Sequence, residues 1–154
     1  MTQKKILVVE DDPSLRLALQ IRLKANDFAV FQAPDAVTCL TSAQRVRPDL
    51  ILLDLGLPGG DGYIVMQRLK TNLNLSDIPI VVVSARDREA NEDRSLVAGA
   101  EAFLQKPVEN DLLLATIRQV LGQDAGRSPT PPSTSQPVQP SQKGSQGLRL
   151  MASC

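Results

Sequence analysis

Polar side chains that could do chemistry follow four short apolar runs. The acidic run EDD, residues 10–12, comes after KKILVV, and Asp54 comes after LILL. Ser84 ends IVVVS, and Lys106 follows AFLQ. Clustered carboxylates repel one another and raise one another's pKa unless a cation joins them. A site of this kind, with only oxygen ligands, suits a hard divalent ion, Mg2+ foremost.

The same residues suggest phosphoryl chemistry. Lys106 adds a second positive charge, and Ser84 could donate a hydrogen bond to a phosphoryl oxygen. Asp54 would then be the nucleophile, forming an acyl phosphate as some ATPases do. The alternative for any one of these residues is a capping or turn role, and for Asp12, before Pro13, capping of the first helix is the favoured interpretation.

The 154-residue chain contains no His, which removes several classes of function. Ser-His-Asp and Cys-His catalytic pairs are excluded, as are His-containing zinc sites. The only two cysteines, Cys39 and Cys154, form no spaced motif and fit a reduced cytosolic protein. The start is no signal peptide, and no apolar stretch approaches a membrane span, so we expect a cytoplasmic location and no membrane contact.

The apolar runs must be strands that carry these residues to one place. We predict strands near residues 5–9, 28–33, 49–54, 79–84 and 102–105, separated by helices. Several runs are continuously apolar, which indicates burial on both faces and hence a parallel sheet covered by helices. The fold class is therefore α/β, an open doubly wound (βα)5 sheet. In such sheets ligands bind beyond the carboxyl ends of the strands.

Finer features of the helices also follow from the pattern. Ser14, Asp35 and Asn110 are candidate N-caps besides Asp12. Tyr63 should begin the third helix and pack at the surface. Helical spacing roughly predicts that the buried face of the last helix carries Leu112, Ala115 and Leu121.

The chain changes character near Gly122. Residues 123–154 are rich in Pro, Ser and Gln and lack aromatic residues, so we predict a disordered tail or linker after a domain of residues 1–122. Up to Gln123 there are 14 basic and 16 acidic residues, whereas the remainder has three basic and one acidic. The neutral total therefore combines a mildly acidic domain with a mildly basic tail, and gives no argument for direct nucleic-acid binding.

Four motifs in order, VVEDD, DLGLPGGDG, VVVSARD and GAEAFLQKP, resemble those of the receiver domain of bacterial two-component response regulators. The resemblance covers about residues 4–122. It implies a flavodoxin-like fold with strand order 2-1-3-4-5. It also implies that the chain accepts a phosphoryl group from the phosphohistidine of a sensor histidine kinase or phosphotransfer protein, and is no enzyme beyond its own phosphorylation and dephosphorylation.

The resemblance assigns roles to individual residues. Asp54 would be phosphorylated, and Ser84 and Lys106 would contact the phosphoryl oxygens. Ser84 and Phe103 would act as switch residues, with the Phe103 ring turning inward on activation. The resemblance also implies that the Lys106–Pro107 bond is cis.

The resemblance implies a Mg2+ site as well. Asp11 would ligate the ion directly, Glu10 through water, and Asp54 with its carboxylate. The carbonyl oxygen of Gly56 would complete the protein ligands. Glu10 stands where the family more often has Asp, which the family tolerates.

The output expected of such a domain is a protein contact. Phosphorylation would alter the surface of the fourth helix, fifth strand and fifth helix, and the readout would be binding of an unknown target protein or a phosphorylation-dependent homodimer. Two alternatives stay open: a receiver-like interaction module that takes no phosphate, and the N-terminal fragment of a longer regulator with an effector domain. A dehalogenase-type phosphatase would need a second Asp at Gly56, and the motifs of P-loop and dinucleotide enzymes are missing.

Overall fold

The computed structural model describes residues 3–58 and 61–123. Strands and helices alternate along the chain: β1 (Lys5–Val9), α1 (Pro13–Ala25), β2 (Ala29–Ala33), α2 (Ala36–Val46), β3 (Leu50–Leu53), α3 (Gly62–Thr71), β4 (Ile80–Ser84), α4 (Arg88–Val97), β5 (Ala102–Gln105) and α5 (Asn110–Leu121). The predicted tail lies outside the described residues, apart from Gln123.

The five strands form one sheet in the order β2-β1-β3-β4-β5, and every neighbouring pair is parallel. This confirms the predicted fold class and strand order. All residues of β3 and β4 are buried, because helices cover both faces of the sheet. That double burial is why these strands appear in the sequence as unbroken apolar runs.

Alternate strand residues feed two separate cores. Leu7 and Val9 of β1 pack in one cluster with residues of α2 and α3. Ile6 and Val8 pack in the other, with α1 and α5. The strand period of two residues therefore divides one apolar run between two helical layers.

Two of the candidate N-caps, Ser14 and Asn110, are wrong, whereas the capping role favoured for Asp12 is confirmed. Asp12, not Ser14, is the N-cap of α1, since its carboxylate accepts hydrogen bonds from the N–H groups of Ser14 (2.8 Å) and Leu15 (3.3 Å). Pro13 fills the first helical position, where its missing N–H costs nothing, so the residue before it must cap. Asn110 already belongs to α5 rather than capping it, whereas Asp35 caps α2 as predicted.

The buried face of α5 also differs from the prediction. Leu112 is 51% exposed, and the buried residues are Leu113, Leu114 and Ile117. The spacing 113, 114, 117 is also helical. Because three leucines stand in a row, the sequence fits a buried face through Leu112 as well as one through Leu113 and Leu114.

Tyr63 is 9% exposed and packs within a core cluster, so the prediction of a surface position is wrong. The cause is the close approach of α3 to the chain after β3. A Cβ on Gly62 would lie 2.6 Å from Leu55 Cα, so only glycine permits this contact. Tyr63, next in sequence, is thereby drawn inward.

Within residues 3–58 and 61–123, no helix combines the length and apolarity that crossing a membrane requires.

Candidate functional site

The register of the central strands brings two of the predicted acids together. β1 and β3 are parallel, with Val9 opposite Leu53, so the next residues of each strand, Glu10 and Asp54, lie side by side. The Asp54 N–H donates to the Val9 carbonyl at 3.0 Å, which fixes the acceptor candidate beside the end of β1. Adjacent strand ends therefore deliver adjacent carboxylates.

Three carboxylates converge at this edge. Glu10, Asp11 and Asp54 each offer one oxygen, and these oxygens all lie within 4.8 Å of one another. Glu10 and Asp54 are 3% and 9% exposed, whereas Asp11 is exposed. The grouping thus has a buried side against the sheet and one acid open to solvent.

Lys106 supplies the positive charge that the carboxylates need. Its Nζ lies 2.5 Å from Glu10 Oε1 and 3.5 Å from Asp54 Oδ2. Its backbone N–H donates to the Ser84 carbonyl at 2.9 Å, which places it at the end of β5. The Lys106–Pro107 peptide bond is cis.

Burial and pairing shift the pKa of both partners. Burial raises the pKa of the Glu10 carboxyl, and the hydrogen bond from Lys106 offsets this only in part. For Lys106, burial lowers the pKa, but the hydrogen bond to Glu10 and the charge of Asp54 outweigh it, and the pKa is raised. Lys106 is therefore a stable ammonium group that faces Asp54.

The remaining predicted residues lie on β4, on β5 and just after β3. Ser84 is fully buried, and its Oγ accepts a hydrogen bond from the Arg86 N–H at 3.1 Å. The Gly56 N–H donates to Asp54 Oδ1 at 3.2 Å, and the missing side chain leaves open space there. Phe103 is 4% exposed and packs within the core cluster that contains Tyr63.

An apolar groove of about 440 Å³ opens beside Lys106 and Glu10. It runs between α1 and the chain that follows β5, and Arg22 contributes the further charged group of its lining. Its apolar lining comprises Leu15, Ala18, Leu19, Val83, Ala85, Pro107 and Val108. Sequence reasoning misses this groove, because its two walls are about 90 residues apart in the chain.

Arg16 is a second feature that sequence reasoning misses. Its Nη1 donates to the Glu10 carbonyl at 2.7 Å and to the Asp11 carbonyl at 3.4 Å. The sequence does hint at this contact, because the side chain of a residue in the first turns of a helix can fold back over the preceding loop.

Comparisons with known proteins bear on the whole described region. The family model for the response regulator receiver domain matches residues 6–118. The chain is 39% identical over 119 residues to the transcriptional regulatory protein CseB of Streptomyces coelicolor, covering 77% of this chain and 50% of that protein. It is 38% identical over 117 residues to the response regulator PleD of Caulobacter vibrioides, covering 75% and 26%. The chain thus matches half or less of these relatives' lengths.

Solved structures give the same result for the fold. The BeF3-activated N-terminal receiver domain of Klebsiella pneumoniae RstA has a TM-score of 0.72 at 33% identity, over 77% of this chain and 98% of that one. A CheY-like response regulator receiver domain protein of Methanospirillum hungatei has a TM-score of 0.73 at 26% identity, over 79% and 96%.

Proposed function

Since the chain belongs to the response regulator receiver domain family, we propose that Asp54 accepts a phosphoryl group from the phosphohistidine of a partner in a Mg2+-dependent reaction. One observation carries the proposal. Asp54 shares one sheet edge with two further carboxylates and with an ammonium group, Lys106, that lies 3.5 Å from its Oδ2.

The donor atoms fit a magnesium ion. Carboxylate oxygens are ligands that hard divalent cations prefer, and Glu10, Asp11 and Asp54 offer three such oxygens in one group. The resemblance adds the Gly56 carbonyl as a fourth protein oxygen ligand. When bound, the ion would supply positive charge against the carboxylates and the phosphoryl oxygens.

In the transfer itself, an Asp54 carboxylate oxygen forms the new bond to phosphorus while the bond from phosphorus to the histidine nitrogen breaks. The imidazole leaves with the electron pair and is free to take a proton. After the transfer, Lys106 faces a phosphoryl oxygen as well as Asp54, and Ser84 donates its hydroxyl hydrogen to a second phosphoryl oxygen. Positioning and electrostatics account for the rate, because little other covalent chemistry is needed.

The phosphoryl group would then bias two conformational states. Ser84 Oγ accepts from the Arg86 N–H here, so a turn of Ser84 toward Asp54 would release the start of the loop before α4. Phe103, on the neighbouring strand β5, would move with it. The proposed output is a changed surface of α4, β5 and α5 that binds a target protein or a second copy of the chain.

The histidine of the reaction must lie outside these 154 residues, because they contain none. The apolar groove beside Lys106 suits side chains around a partner's phosphohistidine. We propose a cytoplasmic protein with a receiver domain at residues 1–122, followed by a tail or linker, without nucleic-acid or membrane binding of its own. The relatives are longer than the matched region, so the alternative is that this chain is the N-terminal part of a longer regulator with an effector domain.

The central test is the intact mass after incubation with Mg2+ and acetyl phosphate. We expect one phosphoryl adduct on the wild type, and none on Asp54→Asn or after chelation of the metal. Asp77→Asn, an exposed acid before β4, is the matched control and should label like the wild type. An equal adduct on Asp54→Asn, or none on the wild type, would contradict the proposal, and the latter would favour an unphosphorylated interaction module.

A second test separates the protein donor from the chemistry. Leu15 lines the groove and is 42% exposed, so Leu15→Asp should leave the fold intact. We expect slower transfer from a phosphorylated histidine kinase, because the groove loses apolar complementarity, with unchanged labelling by acetyl phosphate. Val37→Asp, the same kind of change at an apolar residue of α2 that is 69% exposed, should affect neither. Equal transfer rates for both variants would rule out the groove as the donor surface.

A further inference from the structure

We propose that Arg16 is a positioning residue for the acidic turn, defined as residues 10–12. Its guanidinium holds the backbone of this turn from the first part of α1. The effect on metal binding rests on the proposed function, whereas the effect on the turn itself does not.

The contacts of the turn show what Arg16 supplies. The Glu10 N–H donates to the Ala33 carbonyl, which ties the residue to β2. The Glu10 carbonyl, on the opposite side of the same residue, accepts from Arg16 Nη1 at 2.7 Å. Because Glu10 is 3% exposed, a carbonyl that lost this donor would be poorly hydrated, and the chain would shift to satisfy it.

The same guanidinium nitrogen reaches one residue further. Its 3.4 Å approach to the Asp11 carbonyl links two successive peptide groups to one rigid, planar side chain. The helix end secures the other side of the turn, since the Asp12 carboxylate caps α1 and the Arg16 N–H donates to the Asp12 carbonyl at 2.9 Å. Arg16 thus contacts the backbone of all three residues of the acidic turn.

Charge and positioning make opposite predictions for Arg16. As a positive charge near three carboxylates, it would weaken the binding of a cation, and its removal would strengthen that binding. As a clamp on the turn, it preorganises the Glu10 and Asp11 carboxylates, and its removal would weaken binding. The sign of the change therefore distinguishes the two roles.

The test compares Arg16→Gln and Arg16→Lys with the wild type and with Lys24→Gln. Lys24 lies on the same helix about 12 Å further along, and it is exposed. Amide NMR shifts during Mg2+ titration give the Kd, and amide hydrogen exchange of Glu10 and Asp12 in the metal-free chain gives the order of the turn. The Asp12 N–H is informative because it donates to Glu10 Oε2 at 3.2 Å.

We expect Arg16→Gln to raise the Kd for Mg2+ about tenfold, the lower end of the range for residues that orient metal ligands. Exchange at Glu10 and Asp12 should be faster. Arg16→Lys, which keeps a positive donor but loses the rigid planar guanidinium, should fall between, and Lys24→Gln should match the wild type. Equal or tighter Mg2+ binding by Arg16→Gln, with unchanged exchange, would overturn the proposal.

Failure of the proposed function gives a different pattern. If the wild type takes no phosphoryl group but Arg16→Gln still loses Mg2+ affinity, the positioning role stands alone. If the wild type binds no Mg2+, the exchange rates decide. Faster exchange in Arg16→Gln than in Lys24→Gln supports the clamp, and equal exchange overturns it.

Discussion

Two ion-paired groups in this molecule join carboxylates to basic side chains in different surroundings. The strand-end cluster joins Glu10, Asp54 and Lys106, whose side chains are 4%, 11% and 17% exposed. The α4 pair joins Arg88 and Glu92, whose side chains are 53% and 39% exposed, at a spacing of one helical turn. Water screens the second group and is largely kept from the first.

The difference shows what the sheet contributes to function. Exposed pairs of this kind add little to stability, because water screens both charges. In the strand-end cluster, two buried carboxylates depend on one ammonium group, so an incoming cation or phosphoryl group changes the energy of all three. Burial therefore makes the cluster responsive to ligands, whereas the α4 pair stays a surface feature.

Tyr63 makes a polar contact of a third kind, between α3 and α4. Its hydroxyl donates to Asn91 Oδ1 at 2.7 Å, and the Arg94 guanidinium carbon lies 3.8 Å from the centre of its ring. Burial raises the pKa of the Tyr63 phenol more than the charges of Arg94 and Arg86 lower it, so the hydroxyl remains a donor. A half-buried polar contact thus attaches α4 to α3.

The largest expected effect belongs to the strand-end cluster. Lys106→Met leaves Glu10 and Asp54 buried without their cation, and we expect the free energy of unfolding to fall by about 3 kcal/mol. Urea unfolding at neutral pH with EDTA measures it. Added Mg2+ should recover part of the loss by replacing the missing charge. An equal loss in the exposed control Lys24→Met, or no response to Mg2+, would contradict this account.

An intermediate effect is expected for Tyr63→Phe. The ring and its contact with Arg94 are kept, while the hydrogen bond to Asn91 is lost, so the free energy of unfolding should fall by about 1 kcal/mol. A double-mutant cycle with Asn91→Ala isolates the contact in urea unfolding. Additive losses would mean that the hydroxyl does not stabilise the attachment of α4.

The smallest effect is expected for the α4 pair, and it depends on pH. The hydrogen bond from Arg88 lowers the pKa of Glu92 below its ordinary value of 4.5. The pair's contribution is therefore fully present above that value and is lost as pH falls through the lower folded-state pKa.

Melting temperatures of the wild type and Arg88→Gln test this dependence. The small difference between them should be constant near neutral pH, shrink on acidification below about 4.5, and shrink with added salt. A difference that grows on acidification would contradict the assigned sign.

Much of the fold could be predicted because local pattern and global burial agree. The predicted ranges for the first and last strands match β1 and β5, and the other three run at most one residue beyond the observed ends. Continuous apolar runs leave few alternatives to buried parallel strands. The residues that follow these runs had to meet at one edge, because the carboxyl ends of parallel strands coincide.

The errors arise where several local choices are nearly equal. Both Asp12 and Ser14 can cap a helix, and only the position of Pro13 in α1 decides between them. Three consecutive leucines in α5 can present more than one face. Tyr63 becomes buried because Gly62 lets α3 approach Leu55, a contact that no local pattern reveals.

The sequence by itself determined which chemical groups stand at the strand ends, and that these 154 residues contain no histidine. Those conclusions need only residue types and their order. Only the tertiary structure decided that Lys106 pairs with Glu10 while facing Asp54, that Arg16 holds the acidic turn, and that a groove opens beside them. These contacts depend on distances of a few ångströms between distant or backbone groups, which packing of the helices on the sheet sets.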